Sequence, residues 1–190
     1  MKIIENALPV LVQSHISDTL LGDSFPWFHL KDLTGGYRQE TQNRPAFTHH
    51  FVLNGKTNSD YIGLLNPIID AVQNRTGKSF SKILKARSFL QVPLSNKILG
   101  KEKLDTFHVD LEEKHFVILY YVLDSDGKTI LTDRLYKEGD SVMMDPDEKY
   151  EIVKRVNPKQ GRILFFEGNR FHTAMQPKLN TRCIINIDVI

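Results

Sequence analysis

The chain reads as a mainly β protein with an N-terminal α region, a jelly-roll core under a covering helix. Three observations lead there. Residues 85–190 break into eight short runs rich in β-branched and aromatic residues. Marked turns separate several of those runs: Asp124-Ser125-Asp126-Gly127, Asn157 to Gly161, and Glu167-Gly168-Asn169. One strong helical periodicity, within residues 59–76, precedes them. Eight short strands in succession favour a closed or double-sheet β architecture. A β-sandwich of another topology is the structural alternative.

From the N-terminus, Ile3 to Val12 reads as a short strand leading into a loop, and Ser14 to Leu21 as a brief helix. Phe25-Pro26-Trp27-Phe28 sets three aromatics around a proline and should anchor this region to the core. Residues 31–46, with Gly35-Gly36 and Pro45, form a polar loop long enough to act as a lid over substrate. Phe47 to Leu53 reads as a strand closed by a tight Asn54-Gly55 turn. In Ser59 to Thr76, Ile62, Leu65, Ile69 and Val72 recur at helical spacing and Gly77 is placed to end the helix. Pro67 lies inside that pattern, which predicts a kink or a late helix start. The eight later strands are Ala86–Val92, Asp105–Leu111, His115–Leu123, Thr129–Arg134, Tyr150–Val156, Arg162–Phe166, Phe171–Gln176 and Arg182–Val189.

A chain of 190 residues suits one domain, 1–190, divided into a cover (1–84) and a β core (85–190). Its hydrophobic fraction of 41% and charged fraction of 25% are ordinary for a globular protein. A formal charge of +2 is too mild to argue for a nucleic-acid partner. The single cysteine, Cys183, rules out an intrachain disulfide and fits a reducing compartment. The first twelve residues are broken by Glu5, Asn6 and Pro9 and do not read as a signal peptide. No apolar run approaches the ~18 residues that span a bilayer. Together these features predict a soluble, cytoplasmic protein with no membrane association, and leave its oligomeric state open.

The chemistry is concentrated in His108-Val109-Asp110, in Phe171-His172-Thr173 and in Arg182. Residues two apart on a strand point to one face, so His108 and Asp110 can converge on a point. In a jelly roll a late strand can bring His172 beside them. Two imidazoles and one carboxylate occupy one face of a divalent ion and leave its other positions open, the ligand set of non-haem Fe(II) oxygenases. An isolated His-x-Asp is more often a surface pair, and His49, His50 and His115 each read singly as structural or solvated. The joint order of ligands, strands and arginine favours a metal centre. Zinc would accept the same ligands.

At this point residues 104–190 resemble the catalytic core of the 2-oxoglutarate- and Fe(II)-dependent oxygenases, in their prolyl 4-hydroxylase-like branch. The matching segments are His108-Val109-Asp110, Phe116 to Leu123, the Asp126 to Thr129 turn, Gly161 to Glu167 leading into His172, and Arg182. The resemblance covers a little under half of the chain, and residues 1–80 match only loosely. It implies a double-stranded β-helix in which His108, Asp110 and His172 ligate iron. It also implies that Arg182 pairs with the C5 carboxylate of 2-oxoglutarate, where a guanidinium fork suits a carboxylate. Tyr120 and Thr129, on neighbouring strands, are candidates for an assisting hydroxyl. The implied reaction converts 2-oxoglutarate and O2 to succinate and CO2 while hydroxylating a peptidyl (prolyl-like) or small-molecule substrate, and ascorbate is an admissible accessory. Two departures bear on substrate. Collagen prolyl 4-hydroxylases usually carry lysine where Arg182 stands, and the turn here reads Gly127-Lys128-Thr129 rather than Gly-Glu-Thr.

Rival readings use the same centre differently. A nucleic-acid dealkylase would need a basic groove with stacking aromatics. Arg38, Arg44, Arg75 and Lys78 are available, but no basic run stands out, so this ranks lower. A cupin-like metal protein would use the ligands without an oxoacid. A vestigial binding protein would be expected to have lost one of the four residues. Outside the motif, Arg87 is either a cleft residue or an exposed strand charge, Phe47 to Phe51 read chiefly as packing, and Met143-Met144 as core filling.

Overall fold

A computed structural model of the chain describes residues 1–33, 44–95, 104–145 and 147–190. Strand β1 (Lys2–Ile4) is followed by helix α1 (Val10–Leu21), β2 (Phe28–Leu30), β3 (Ala46–Leu53) and β4 (Lys56–Thr57). A 3-10 turn (Asp60–Leu65) runs into helix α2 (Asn66–Thr76), and then come β5 (Ile83–Gln91), β6 (Phe116–Tyr121) and β7 (Thr129–Leu135). The chain ends with β8 (Ile152–Val156), β9 (Ile163–Glu167), β10 (Arg170–Ala174) and β11 (Arg182–Val189).

The first helix starts earlier than the sequence pattern predicts. Asn6 adopts a positive φ of 46° and ends β1, so the expected strand up to Val12 stops at Ile4. Helix α1 then buries Ile16 and Leu20 and leaves Val10 and Leu11 in solvent. The second helical pattern behaves as Pro67 dictates. A 3-10 turn capped by Ser59, whose hydroxyl accepts from Tyr61 N at 3.1 Å, occupies the first part. The α-helix begins at Asn66, which puts proline in its first turn, where the missing N–H breaks no bond. Gly77, in the left-handed region at φ 70°, closes it with its N–H on Gln73 O. Asn54 and Gly55, with φ 51° and 71°, form the expected tight turn between β3 and β4.

Among the described residues two antiparallel sheets form. The larger runs β1-β9-β6-β11-β5-β3-β2, with β4 attached to β3, and the smaller runs β10-β7-β8. This is the jelly-roll architecture expected from the run of strands, and the double-stranded β-helix that the resemblance implies. Ile16, Leu20, Ile68 and Val72 of the helices pack on the outer face of the large sheet against Ile118, Tyr120, Ile185 and Ile187. Its inner face packs Val117, Leu119, Tyr121, Leu164, Phe166 and Ile184 with Leu131 and Val156 of the small sheet. Strand β11 is central, paired with β5 and β6. Its inward series Arg182, Ile184, Asn186, Asp188 therefore lies beside the inward series Gln91, Phe89, Arg87, Lys85 of β5.

The predicted strand Asp105–Leu111 is a correction. This segment makes only isolated bridges, Leu104 with Met175 and His108 with both Met143 and His172. The strand expected from Tyr150 starts at Ile152. Most of the proposed lid loop, with Arg38, falls outside the described residues. Among the described residues no helix is long and apolar enough to cross a membrane.

Candidate metal and oxoacid site

One cavity of about 470 Å³ opens between the sheets, and it contains His108, Asp110, His172 and Arg182 together. One ligand atom from each of His108, Asp110 and His172 lies within 4.8 Å of the others. His172 Nε2 stands 3.3 Å from Asp110 Oδ2, and His108 Nε2 stands 4.0 Å from Asp110 Oδ1. A direct backbone exchange joins the two histidines: His108 N donates to His172 O and His172 N to His108 O, at 2.9 and 3.0 Å. Strand β10 thus delivers His172 next to a segment that is otherwise irregular.

The ring nitrogens are sorted by their partners. Nδ1 of His108 lies 3.0 Å from Thr106 O, and Nδ1 of His172 lies 3.0 Å from Arg170 O. A carbonyl can only accept, so each Nδ1 carries the hydrogen and each ring turns its Nε2 toward Asp110. Burial, reinforced by the neighbouring His172 ring, lowers the His108 pKa to about 4, which keeps that imidazole a neutral donor of electrons. Burial works against the charge of Asp110. The His172 contact and the Arg87 guanidinium outweigh it and hold the carboxyl well below the usual carboxylate range. Arg87 Nη2 donates to Asp110 Oδ1 at 2.5 Å and Asn186 Nδ2 to Oδ2 at 3.1 Å. The three groups and their supports fit a divalent ion on a two-imidazole, one-carboxylate face.

Arg182, 4% exposed, lies farther along β11 from Asn186. Its Nη1 donates to Gln91 Oε1 at 2.8 Å, its Nε to Gly127 O at 3.0 Å and its Nη2 to Thr129 Oγ1 at 3.2 Å. All of these acceptors are neutral. No carboxylate of the described residues stands within ion-pair distance of this buried guanidinium. The nearby Asp105 is engaged by Arg44 Nη1 at 2.6 Å. A buried cation fixed by neutral acceptors is suited to an anion that arrives from outside.

Thr129 touches Arg182 where the sequence placed a hydroxyl, but Tyr120 does not. Tyr120 faces outward into the core beneath the helices, and its hydroxyl is buried with no partner. The inward residue is Tyr121, whose hydroxyl donates to Thr129 Oγ1 at 2.8 Å. Burial, partly offset by Arg182, raises its pKa to about 12, so it stays a donor. Strand alternation decides between the neighbours, and the sequence alone does not fix which face is inside. Gln91, Asn186 and Gly127 were also missed. Two-residue counting along β11 from Arg182 reaches Asn186, whereas Gln91 is reached only through the β11–β5 register. Arg87 proves to be a cleft residue. Thr48 and His50 line the cavity while His49 and Phe51 pack beneath it, and Met143 lines it while Met144 is core.

No protein-family model matches the chain. No curated protein matches it either. Solved structures do. An oxidoreductase of the 2OG-Fe(II) oxygenase family from Burkholderia pseudomallei aligns over 98% of this chain and 83% of its own, with TM-score 0.65 and 10% identity. The fold is that of the 2OG-Fe(II) oxygenases. The non-heme alpha ketoglutarate dependent epimerase SnoN from nogalamycin biosynthesis aligns over 99% and 77%, with TM-score 0.67 and 11% identity. A prolyl hydroxylase from Trichoplax adhaerens, in complex with a hypoxia inducible factor peptide fragment, aligns over 100% and 82%, with TM-score 0.61 and 15% identity. At such identities the 2OG-Fe(II) oxygenase likeness concerns the path of the backbone, and the site's chemistry rests on its own residues.

Proposed function

We propose that this chain is an Fe(II)- and 2-oxoglutarate-dependent dioxygenase that hydroxylates a substrate entering the cavity beside His108, Asp110 and His172. The single observation that carries the reading is the buried Arg182 guanidinium, without a carboxylate partner, in the same cavity as a two-histidine, one-aspartate cluster. It separates an oxygenase from a cupin-like metal protein, which has no use for an internal anion site.

In this reading His108, Asp110 and His172 hold the iron, with Asn186 and Arg87 orienting the carboxylate and two backbone carbonyls orienting the rings. Arg182 receives the far carboxylate of 2-oxoglutarate; Thr129 Oγ1 accepts from both Arg182 and Tyr121, which leaves the Thr129 hydroxyl hydrogen for that carboxylate. Bound iron would supply O2 activation coupled to decarboxylation of the oxoacid. The apolar walls Leu119, Ile184 and Phe89 limit water near the reacting atoms. Neighbours in the fold act on both peptide and small-molecule substrates, and both classes are compatible with this site. Ascorbate is to be compared as an additive in turnover assays.

The test is an anaerobic titration with Fe(II) and then 2-oxoglutarate, followed through a visible charge-transfer band. The band is expected in wild type, absent in His108→Ala, and dependent on far more co-substrate in Arg182→Ala. A folded, iron-loaded wild type without the band would favour the cupin-like alternative.

A further inference from the structure

At the Asn186 end of the cavity, away from Arg182, three basic residues meet. His50 of β3 lies across from Arg87 of β5, and Lys85 is two residues from Arg87 on the same strand face. All three line the cavity that holds the metal cluster. Arg87 gives one nitrogen, Nη2, to Asp110, and its Nε is buried with no partner. His50 Nδ1 is likewise buried with no partner. Lys85 makes no hydrogen bond or ion pair with any described residue.

The acidic groups nearby do not balance this end. Asp110 already accepts from Arg87 and Asn186, and its remaining capacity faces the histidines. Asp188 stands opposite Lys85 in the β11–β5 register, but it makes no ion pair with it and does not line the cavity. Burial, with the charge of Asp110, pushes the Asp188 carboxyl well above the usual range, so it adds little negative charge. Asp32 belongs to the other end, where Leu30 pairs with Ala46 and Asp32 Oδ1 accepts from Arg44 N. Nitrogens of Arg87, Lys85 and His50 without acceptors, beside a partly open cleft, suit an anion.

We propose that His50, Lys85 and Arg87 form a subsite for a carboxylate on a small primary substrate, holding that substrate over the His108–Asp110–His172 face. The planar Arg87 fork and the Lys85 ammonium together match one carboxylate. A cavity of about 470 Å³ shared with an oxoacid sits toward the lower end of the ~300–1,000 Å³ of small-molecule sites. That size favours a compact acid over a broad macromolecular surface. The oxidation of this substrate rests on the oxygenase reading; its capture by the three basic residues does not.

The experiment is calorimetric titration of zinc-loaded protein, with 2-oxoglutarate saturating, using matched acids and amides: acetate and acetamide, benzoate and benzamide, N-acetyl-L-proline and its amide. At least one acid is expected to bind tenfold or more tighter than its amide. Lys85→Met should erase that preference while leaving 2-oxoglutarate affinity within twofold, and Lys85→Gln serves if the methionine variant does not fold. Equal binding of every acid and amide in wild type would overturn the proposal. So would a preference that survives Lys85→Met, or one lost only in Arg182→Ala. Failure of 2-oxoglutarate itself to bind would sink the oxygenase reading separately, because the acid–amide comparison can be repeated without it.

Discussion

Tyr121 donates its hydroxyl to Thr129 Oγ1 at 2.8 Å, across the gap between the two sheets. The same oxygen accepts from Arg182 Nη2 at 3.2 Å, so a tyrosine that never touches the guanidinium helps to set its position. Tyr121→Phe should raise the dissociation constant of 2-oxoglutarate several-fold and lower stability by about 1 kcal/mol, the usual net loss for one hydrogen bond. Tyr120→Phe is the internal control. Its hydroxyl has no partner, so co-substrate affinity should not move and stability should hold or rise. Calorimetry and thermal unfolding of the two variants side by side check both halves.

Metal affinity should depend on residues that are not ligands. Asn186 Nδ2 fixes Asp110 Oδ2 without adding charge. Asn186→Ala is expected to weaken zinc or Fe(II) binding roughly 10–100-fold, the range typical of lost supports behind a ligand. Asp110→Ala should weaken it further. Competition with a chelator of known affinity measures both, and equal affinities in Asn186→Ala and wild type would remove Asn186 from the support.

Gly127 is required by space. A Cβ added there would stand 2.8 Å from Met175 O and 2.9 Å from Arg182 Cδ. One contact is backbone, and the other is the arm that the guanidinium hangs on. Gly127→Ala should therefore raise the 2-oxoglutarate dissociation constant about tenfold or more while leaving zinc affinity close to wild type. A titration of each ligand separates the two effects.

The metal-free protein should have opposing pH responses from two buried groups. Burial and the adjacent His172 hold His108 at about 4, below its ordinary 6.5. As pH falls through that window the unfolded chain takes up a proton that the folded one refuses, so stability declines from pH 6.5 toward 4. Asp188 has the reverse sign. Its folded carboxyl is raised, chiefly by burial, so its cost is absent below its ordinary 3.8 and grows as pH rises above that. Asp188→Asn should gain on wild type as pH rises and lose that gain in acid. Unfolding midpoints across pH 4–8 check this, and a gap independent of pH would contradict it.

The sequence made the site more legible than the cover. Ligand chemistry is carried by residue type and order, so His108, Asp110, His172 and Arg182 could be picked out before any geometry, although the segment holding His108 and Asp110 is not a regular strand. Pro67 and Gly77 announced the bounds of α2 because each acts through its own backbone. Tyr120 and Tyr121 could not be separated, since both are apolar enough for either face and only pairing with β11 decides. The start of α1 was hidden because Val10 and Leu11 are apolar yet exposed. Lys85, Arg87 and His50 become a group only when β3 and β5 lie side by side.

Strand β11 holds Arg182, the proposed oxoacid anchor, near one end and Asn186, the amide behind Asp110, four residues later. Slipping it by one residue would turn its inward side chains out, and packing would reject the change. Slipping it by two would preserve the inside–outside pattern yet carry both groups about 7 Å along the cavity. The irregular pairing between Asp188 and Val189 breaks the translational sameness of the ladder and works against that silent error. Length changes within this strand should therefore be far more damaging to activity than to folding, even when every apolar residue still finds a neighbour.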